Sequence, residues 1–341
     1  MRLLRQSLAA LLLPIAVQAQ ERQVLTGTAI TIWNLAGEVR LEPGTGSDVV
    51  VEVTRGGSDA RRLEVVASGG QLKIRYPDDE IVYRGGRDSR SSSTLQVRPD
   101  GTFGGDWNSG GRRTAVRTYG SGLEAHADLV VKIPAGKRVE VNLAVGSIEA
   151  RGVEADLRLD VHAANVRATG TKGRLVIDAG SGTVRVEDAS GELEVDTGSG
   201  STTLGGLRMT RVAVEAGSGS IDARDVQAGR FAVDVGSGSV TAEGLKTNDL
   251  YIDTGSGSVR LELTQVPGRS EIDTGSGSVT LTLPASANAE LDIETGSGGI
   301  SSDFAVTMEG YRRRELRGKI GEGGPMIRVS TGSGGVRLLK R

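Results

Sequence analysis

Asp253-Thr254-Gly255-Ser256-Gly257-Ser258-Val259 recurs 20 residues later as Asp273-Thr274-Gly275-Ser276-Gly277-Ser278-Val279. Copies of Gly-Ser-Gly begin at Gly180, Gly198, Gly217, Gly236, Gly255, Gly275, Gly296 and Gly332. The first seven lie 18 to 21 residues apart, and the final gap of 36 leaves room for an inserted segment. Two degenerate copies precede them, with Ser147-Ile148 and Asn165-Val166 in register with Thr183-Val184 at steps of 18. A fixed period of about 19 residues is the signature of a solenoid.

Each repeat carries two strand signals. Alternating apolar pairs precede the Gly bend, as in Leu193/Val195, Val212/Val214, Phe231/Val233, Leu250/Ile252 and Leu291/Ile293. Others follow it, as in Val184/Val186, Val240/Ala242, Val259/Leu261 and Val279/Leu281. Period-two alternation with β-branched residues predicts strands, and the unit is too short for a helix besides. Equivalent strands should stack in parallel about 4.8 Å apart. The expected fold is an all-β, right-handed parallel β-solenoid, β-helix-like, of about ten 18–21-residue turns with a diverged N-terminal β cap. No single turn buries enough apolar surface to order itself, so only the array is stable. The paired Gly allow a tight bend and close stacking of bends. The Asp before the bend is expected to accept hydrogen bonds from bend N–H groups, in the manner of an Asx-turn.

Composition narrows the chemistry. Of 341 residues, 51 are Gly, two are His and none is Cys, so thiol nucleophiles, disulfides and Cys-based zinc sites are excluded. With 41 basic against 43 acidic residues, the chain lacks the basic excess of a general nucleic-acid binder. Residues 1–19 read as a cleaved signal peptide, with Arg2 and Arg5 ahead of an apolar run and Val17-Gln18-Ala19 as the cleavage site. No later run is apolar enough to span a membrane, so no transmembrane segment is expected after cleavage. Residues 20–140 should form a strand-rich cap and 141–341 the repeat array. Within the cap, Ile30-Thr31-Ile32-Trp33 with Glu38-Val39-Arg40-Leu41 looks like a diverged repeat.

Two basic insertions interrupt this pattern. Residues 84–122 hold seven Arg against three Asp and are expected to form a loop or hairpin projecting from the cap. A second, near 303–325, contains Tyr311-Arg312-Arg313-Arg314-Glu315-Leu316-Arg317. Their ordinary role is a solvated polar excursion. The functional alternative makes Arg112, Arg113, Arg117, Arg312, Arg313 and Arg314 candidate contacts for an anionic surface.

The Asp-Thr-Gly-Ser-Gly-Ser-Val copies, the opening Ile30-Thr31-Ile32-Trp33-Asn34-Leu35-Ala36-Gly37 and the step Ile133-Pro134-Ala135-Gly136 resemble the bacterial DUF4097 family of adhesin-like proteins. The resemblance covers roughly residues 24–340. It implies a parallel β-solenoid in an exported, envelope-associated protein, and it brings no catalytic residues.

Other chemistries fare worse on the residues. Gly255-Ser256-Gly257 lacks the third Gly of a dinucleotide loop, since Arg260 holds that place, and no helix is expected after it. Calcium-binding toxin repeats place Asp after the bend at a nonapeptide period, whereas here Asp precedes it. His126 and His162 are isolated, and no Gly-x-Ser-x-Gly or His-Glu-x-x-His occurs. The expectation is therefore a noncatalytic scaffold or binding rod with no cofactor and no metal. Its partners would be an envelope polysaccharide, an anionic lipid surface or another envelope protein, and not nucleic acid. The competing reading is a polysaccharide-active β-helix enzyme, a lyase or hydrolase. End-to-end association through open strand edges should be opposed by Lys340 and Arg341, placed just beyond the final strand.

Overall fold

A computed structural model describes residues 20–85, 92–104, 110–312 and 314–341. The stretch 1–19, expected to be a signal peptide, and Trp107 lie outside these residues. The described chain is all-β apart from one short 3-10 turn at Ala60–Arg62. Twenty-five strands join in one large, mostly parallel sheet, and four short strands form a second.

The registers show how the repeat builds the large sheet. Asp160 pairs in parallel with Asp178, Asp178 with Asp196, Asp196 with Glu215, Glu215 with Asp234, and Asp234 with Asp253. Each step advances one sequence repeat. The strand halves after the bend pair likewise, Val184 with Thr202 and Ile221 with Val240. The sheet thus has two faces joined at the Gly bends, and the alternating aliphatics meet between them. Leu193, Val195, Phe231, Val233, Leu250 and Ile252 are all buried in one continuous core.

The bends require glycine for a steric reason. Gly219 has φ of +134°, and a Cβ there would overlap the carbonyl oxygen of Gly200 on the preceding rung. Gly257 meets Gly238 in the same way. Backbones approach so closely at the bend column that no side chain fits between successive rungs.

The strand Ala29–Pro43 is a full rung, paired in parallel with Arg138–Arg151. Residues 44–137 are therefore an excursion between two adjacent rungs. On one face it supplies the antiparallel strands Val49–Gly56 and His126–Ile133. On the other it supplies the hairpin of Glu64–Ser68 with Gln71–Arg75.

The described parts of 84–122 do not project into solvent as expected. Its strands Ser92–Val97 and Arg112–Arg117 form an antiparallel hairpin, and Leu95, Phe103 and Val116 are buried in the common core. The Trp33 indole N–H donates to the Phe103 carbonyl at 3.2 Å. The Phe103 ring lies 6.2 Å from that of His162. The apolar residues spaced among its Arg and Gly dock it onto the array.

The C-terminal order also departs from the sequence order. Strand Met326–Thr331 pairs in parallel with Arg269–Thr274 on one side and with Ala289–Thr295 on the other. Strand Val336–Lys340 lies likewise between Val279–Leu283 and Ile300–Ser302. The last repeat is thus interleaved ahead of the one before it. The insertion forms the antiparallel hairpin of Val306–Arg312 with Glu315–Ile320, which closes the displaced strand Ala289–Thr295. Lys340 therefore lies in an internal strand. One face of the sheet ends at the hairpin and the other at Ile300–Ser302, so the expected guarding role of Lys340 and Arg341 does not hold.

Candidate functional site

Outward residues on each face form columns, one residue per rung. On the face before the bend the register runs Trp33, Asn142, Asp160, Asp178, Asp196, Glu215, Asp234, Asp253, Asp273, Ser330, Glu294 and Glu315. Seven successive rungs carry a carboxylate. These side chains do not accept the bend N–H groups, contrary to the Asx-turn expectation. The bend amides instead donate along the array, Gly200 to the Ser218 carbonyl and Gly219 to that of Ser237. At two bends the turn acceptor is the buried Thr one residue later: the Gly277 amide donates to Thr274 Oγ1 at 3.0 Å, and Gly334 to Thr331 Oγ1 at 2.9 Å. Thr follows the strand alternation inward, so the preceding Asp must point outward.

The carboxylates consequently act on one another. The Asp253 carboxyl is raised above its ordinary range by desolvation and by Asp234 and Asp273. Asp196 is raised by desolvation, Asp178 and Glu194. Asp160 is raised by desolvation and Asp178. Partial relief comes from Arg158, 3.9 Å from Asp178, and from the Tyr251 hydroxyl, which donates to Asp253. No group of three or more acidic or His side chains converges as a metal-ligand set among the described residues.

The described arginines among the six singled out from sequence fall into two sets toward opposite ends of this column, about 50 Å apart at one strand spacing per step. At the N-terminal end, Arg112 lies 3.7 Å from Asp79 and Arg117 lies 2.5 Å from Glu80. Arg113 is exposed. The positive balance of the first insertion is thus largely met by carboxylates just outside it. At the other end, Arg312 ends its strand, Arg314 is exposed, and Arg313 lies outside the described residues. Arg317 is surrounded by Glu315, Asp292 and Glu294, which raise its pKa. The described ones do not make one surface.

A different basic feature lies on the face after the bend. Its outward column runs Arg40, Glu149, Arg167, Arg185, Thr203, Asp222, Thr241, Arg260, Thr280, Arg337 and Ser301. Toward the C-terminal end this column borders an open groove of about 690 Å³, lined by Ser239, Ser258, Ser278, Thr280, Arg260 and Arg337 among others. Stacking in chain order by the repeat period would put Arg260 beside Thr280 in this column but not Arg337. In chain order Ser301 would follow Thr280, and only the interleaved strand brings Arg337 there.

The lone histidines have structural surroundings. His126 packs edge-on to Tyr83 at 5.1 Å, 3.8 Å from Asp128. His162 occupies a bend position on the rung before Gly180.

The family model described as Toastrack DUF4097 matches residues 28–339. Among solved structures, a "putative cell adhesion protein" from Clostridium sporogenes ATCC 15579 is 12% identical, with 95% of this chain and 100% of that chain covered and a TM-score of 0.19. A "putative adhesin" from Bacteroides fragilis NCTC 9343 is 10% identical, with 94% and 98% covered and a TM-score of 0.31. Neither superposition is close enough to bear on this chain's activity. A search of curated proteins finds no match.

Proposed function

The chain belongs to the Toastrack DUF4097 family, and from that premise we propose that it is a noncatalytic, adhesin-like binding rod at the cell envelope. Residues 1–19 direct export. Residues 20–140 cap a right-handed β-solenoid of about ten turns formed by 141–341. The rod has no cofactor and works by many weak contacts along its outer columns. No helix among the described residues is long and apolar enough to cross a membrane, and attachment on this reading is through surface contacts.

The observation that carries the reading is the outward register itself. Like residues recur on successive rungs, as in the seven-carboxylate column from Asp160 to Asp273. Such periodicity suits a ligand that is itself extended and repetitive, because each rung offers a similar contact and the contacts add. The test is co-sedimentation of residues 20–341 with bacterial envelope fragments, together with an assay for new reducing ends on a panel of polysaccharides. Salt-sensitive pelleting without polymer cleavage is expected. Protein that stays in the supernatant sinks the binding reading, and depolymerisation sinks the noncatalytic one.

A further inference from the structure

The arginines of the column after the bend are not equivalent. Arg40 is paired with Glu38, and both Arg167 and Arg185 are paired with Glu187. Arg260 and Arg337 are exposed and make no ion pair or side-chain hydrogen bond among the described residues. The carboxylate best placed to neutralise Arg260 is Glu262, two residues along the same strand and on the same face, but Arg341 engages it. Beside Arg337 the corresponding position is Leu339, which carries no charge. Two uncompensated guanidinium groups therefore border one groove.

Their spacing is set by the interleaved strand. Arg260 pairs in register with Thr280, and Thr280 with Arg337. The two cations sit two rungs apart, about 9.6 Å, with a hydroxyl between them. Ser239, Ser258 and Ser278 line the other side of the groove. Along that side the register continues into Gly335 and Gly299, so the groove is open at its Arg337 end. A Cβ at Gly299 would meet nothing within 4 Å. Val259 and Val279, which also border the groove, are buried.

We propose that this groove is a binding site for a linear anionic polysaccharide, its sulfate or carboxylate groups paired with Arg260 and Arg337 and its hydroxyls bonded to the Ser and Thr columns. The proposal rests on the binding-rod reading and names its ligand class. A concave, hydroxyl-lined channel running across successive rungs fits an extended sugar chain. A bilayer is flat and rewards inserted apolar side chains, which the groove does not offer. Guanidinium groups favour planar and tetrahedral oxyanions through paired N–H donors.

The experiment measures affinity of residues 20–341 for dextran sulfate, polygalacturonate, neutral dextran and phosphatidylglycerol vesicles at low ionic strength. The wild-type chain is compared with R260Q/R337Q and with G299E, which sets a carboxylate in the open mouth of the groove without steric conflict. Matching circular dichroism and melting curves establish that the variants fold. The expected result is binding to at least one of the two anionic polymers and none to neutral dextran, with affinity falling at least tenfold in both variants. Preference between the polymers separates sulfate from carboxylate recognition. Affinity unchanged in both variants overturns the proposal. So does vesicle binding as tight as polymer binding and lost on the same substitutions. If neither anionic polymer binds, the proposal also falls. The rod reading then survives if the same protein still pellets with envelope fragments, and fails with it otherwise.

Discussion

Arg337 is the register partner of Thr280 on one side and of Ser301 on the other, so the last strand of the chain lies inside the sheet. Its companion Met326–Thr331 is similarly enclosed. Together they bury Ile327, Val329, Val336 and Leu338, worth roughly 6–12 kcal/mol of apolar burial. Deleting residues 326–341 should also strip the parallel partners from Ala289–Thr295 and Ile300–Ser302. We expect the truncated chain to lose amide protection across residues 289–320 while residues 141–250 stay protected. Hydrogen exchange read by mass spectrometry checks this.

The bend column gives a prediction with an internal control. Gly219→Ala forces a Cβ against the Gly200 carbonyl at a φ of +134°. It should cost about 2–4 kcal/mol. Gly299→Ala meets open space at an ordinary φ and should stay within about 0.5 kcal/mol of wild type. Denaturant unfolding of the two variants measures both.

The carboxylate column should be a source of instability at neutral pH. Asp253→Asn removes repulsion with Asp234 and Asp273 on the adjoining rungs. A gain of about 0.5–1 kcal/mol at low salt is expected, shrinking as salt is added. The pH dependence has a definite sign. The carboxyl holds its proton more tightly folded than unfolded, so its contribution favours folding below the unfolded value of about 4 and is lost as pH rises through the folded value. Melting temperatures in low and high salt at mildly acid and neutral pH decide the matter.

Asp100 should behave oppositely. Lys73 Nζ lies 2.7 Å from Asp100 Oδ2 and 5.7 Å from the Trp33 ring centroid. That hydrogen bond, helped by Thr102, lowers the Asp100 pKa to about 2. The contribution is fully present above the unfolded value of about 4 and is lost as pH falls toward the folded one. Asp100→Asn should therefore loosen the docked insertion at neutral pH and make little difference near pH 2. Trp33 fluorescence, followed across the acid range in a Trp107→Phe background, reports it. An Asn variant that retains the wild-type transition rules it out.

Much of the architecture is visible in local pattern. The inward pairs Leu193/Val195 and Phe231/Val233, the inward Thr254 and the Gly bends follow from period-two alternation and a period of about 19. The rung Ala29–Pro43 is readable from Ile30-Thr31-Ile32-Trp33 and the Gly37 bend. The docking of 84–122 is not, because Leu95, Phe103 and Val116 are too sparse to outweigh a local excess of Arg. The groove is hidden for a different reason. Nothing near residues 300 or 337 encodes that one strand passes beneath the other, since parallel pairing energies are nearly alike for either order. The choice depends on the antiparallel hairpin at 306–320, which needs an outer strand to close upon. The Asp column does not take the bend amides because these donate along the array instead, as Gly200 does to the Ser218 carbonyl.

The interleaved C-terminus also bears on how the molecule is finished. A rod built by simple accretion could stop at any turn and still look complete. Here the penultimate turn is fastened only when the final residues slide in behind it, much as a belt is held by the tongue of its buckle. A chain cut short would leave that turn unclasped, with raw strand edges open to proteases. The arrangement makes residues 326–340 a condition of that turn being sealed.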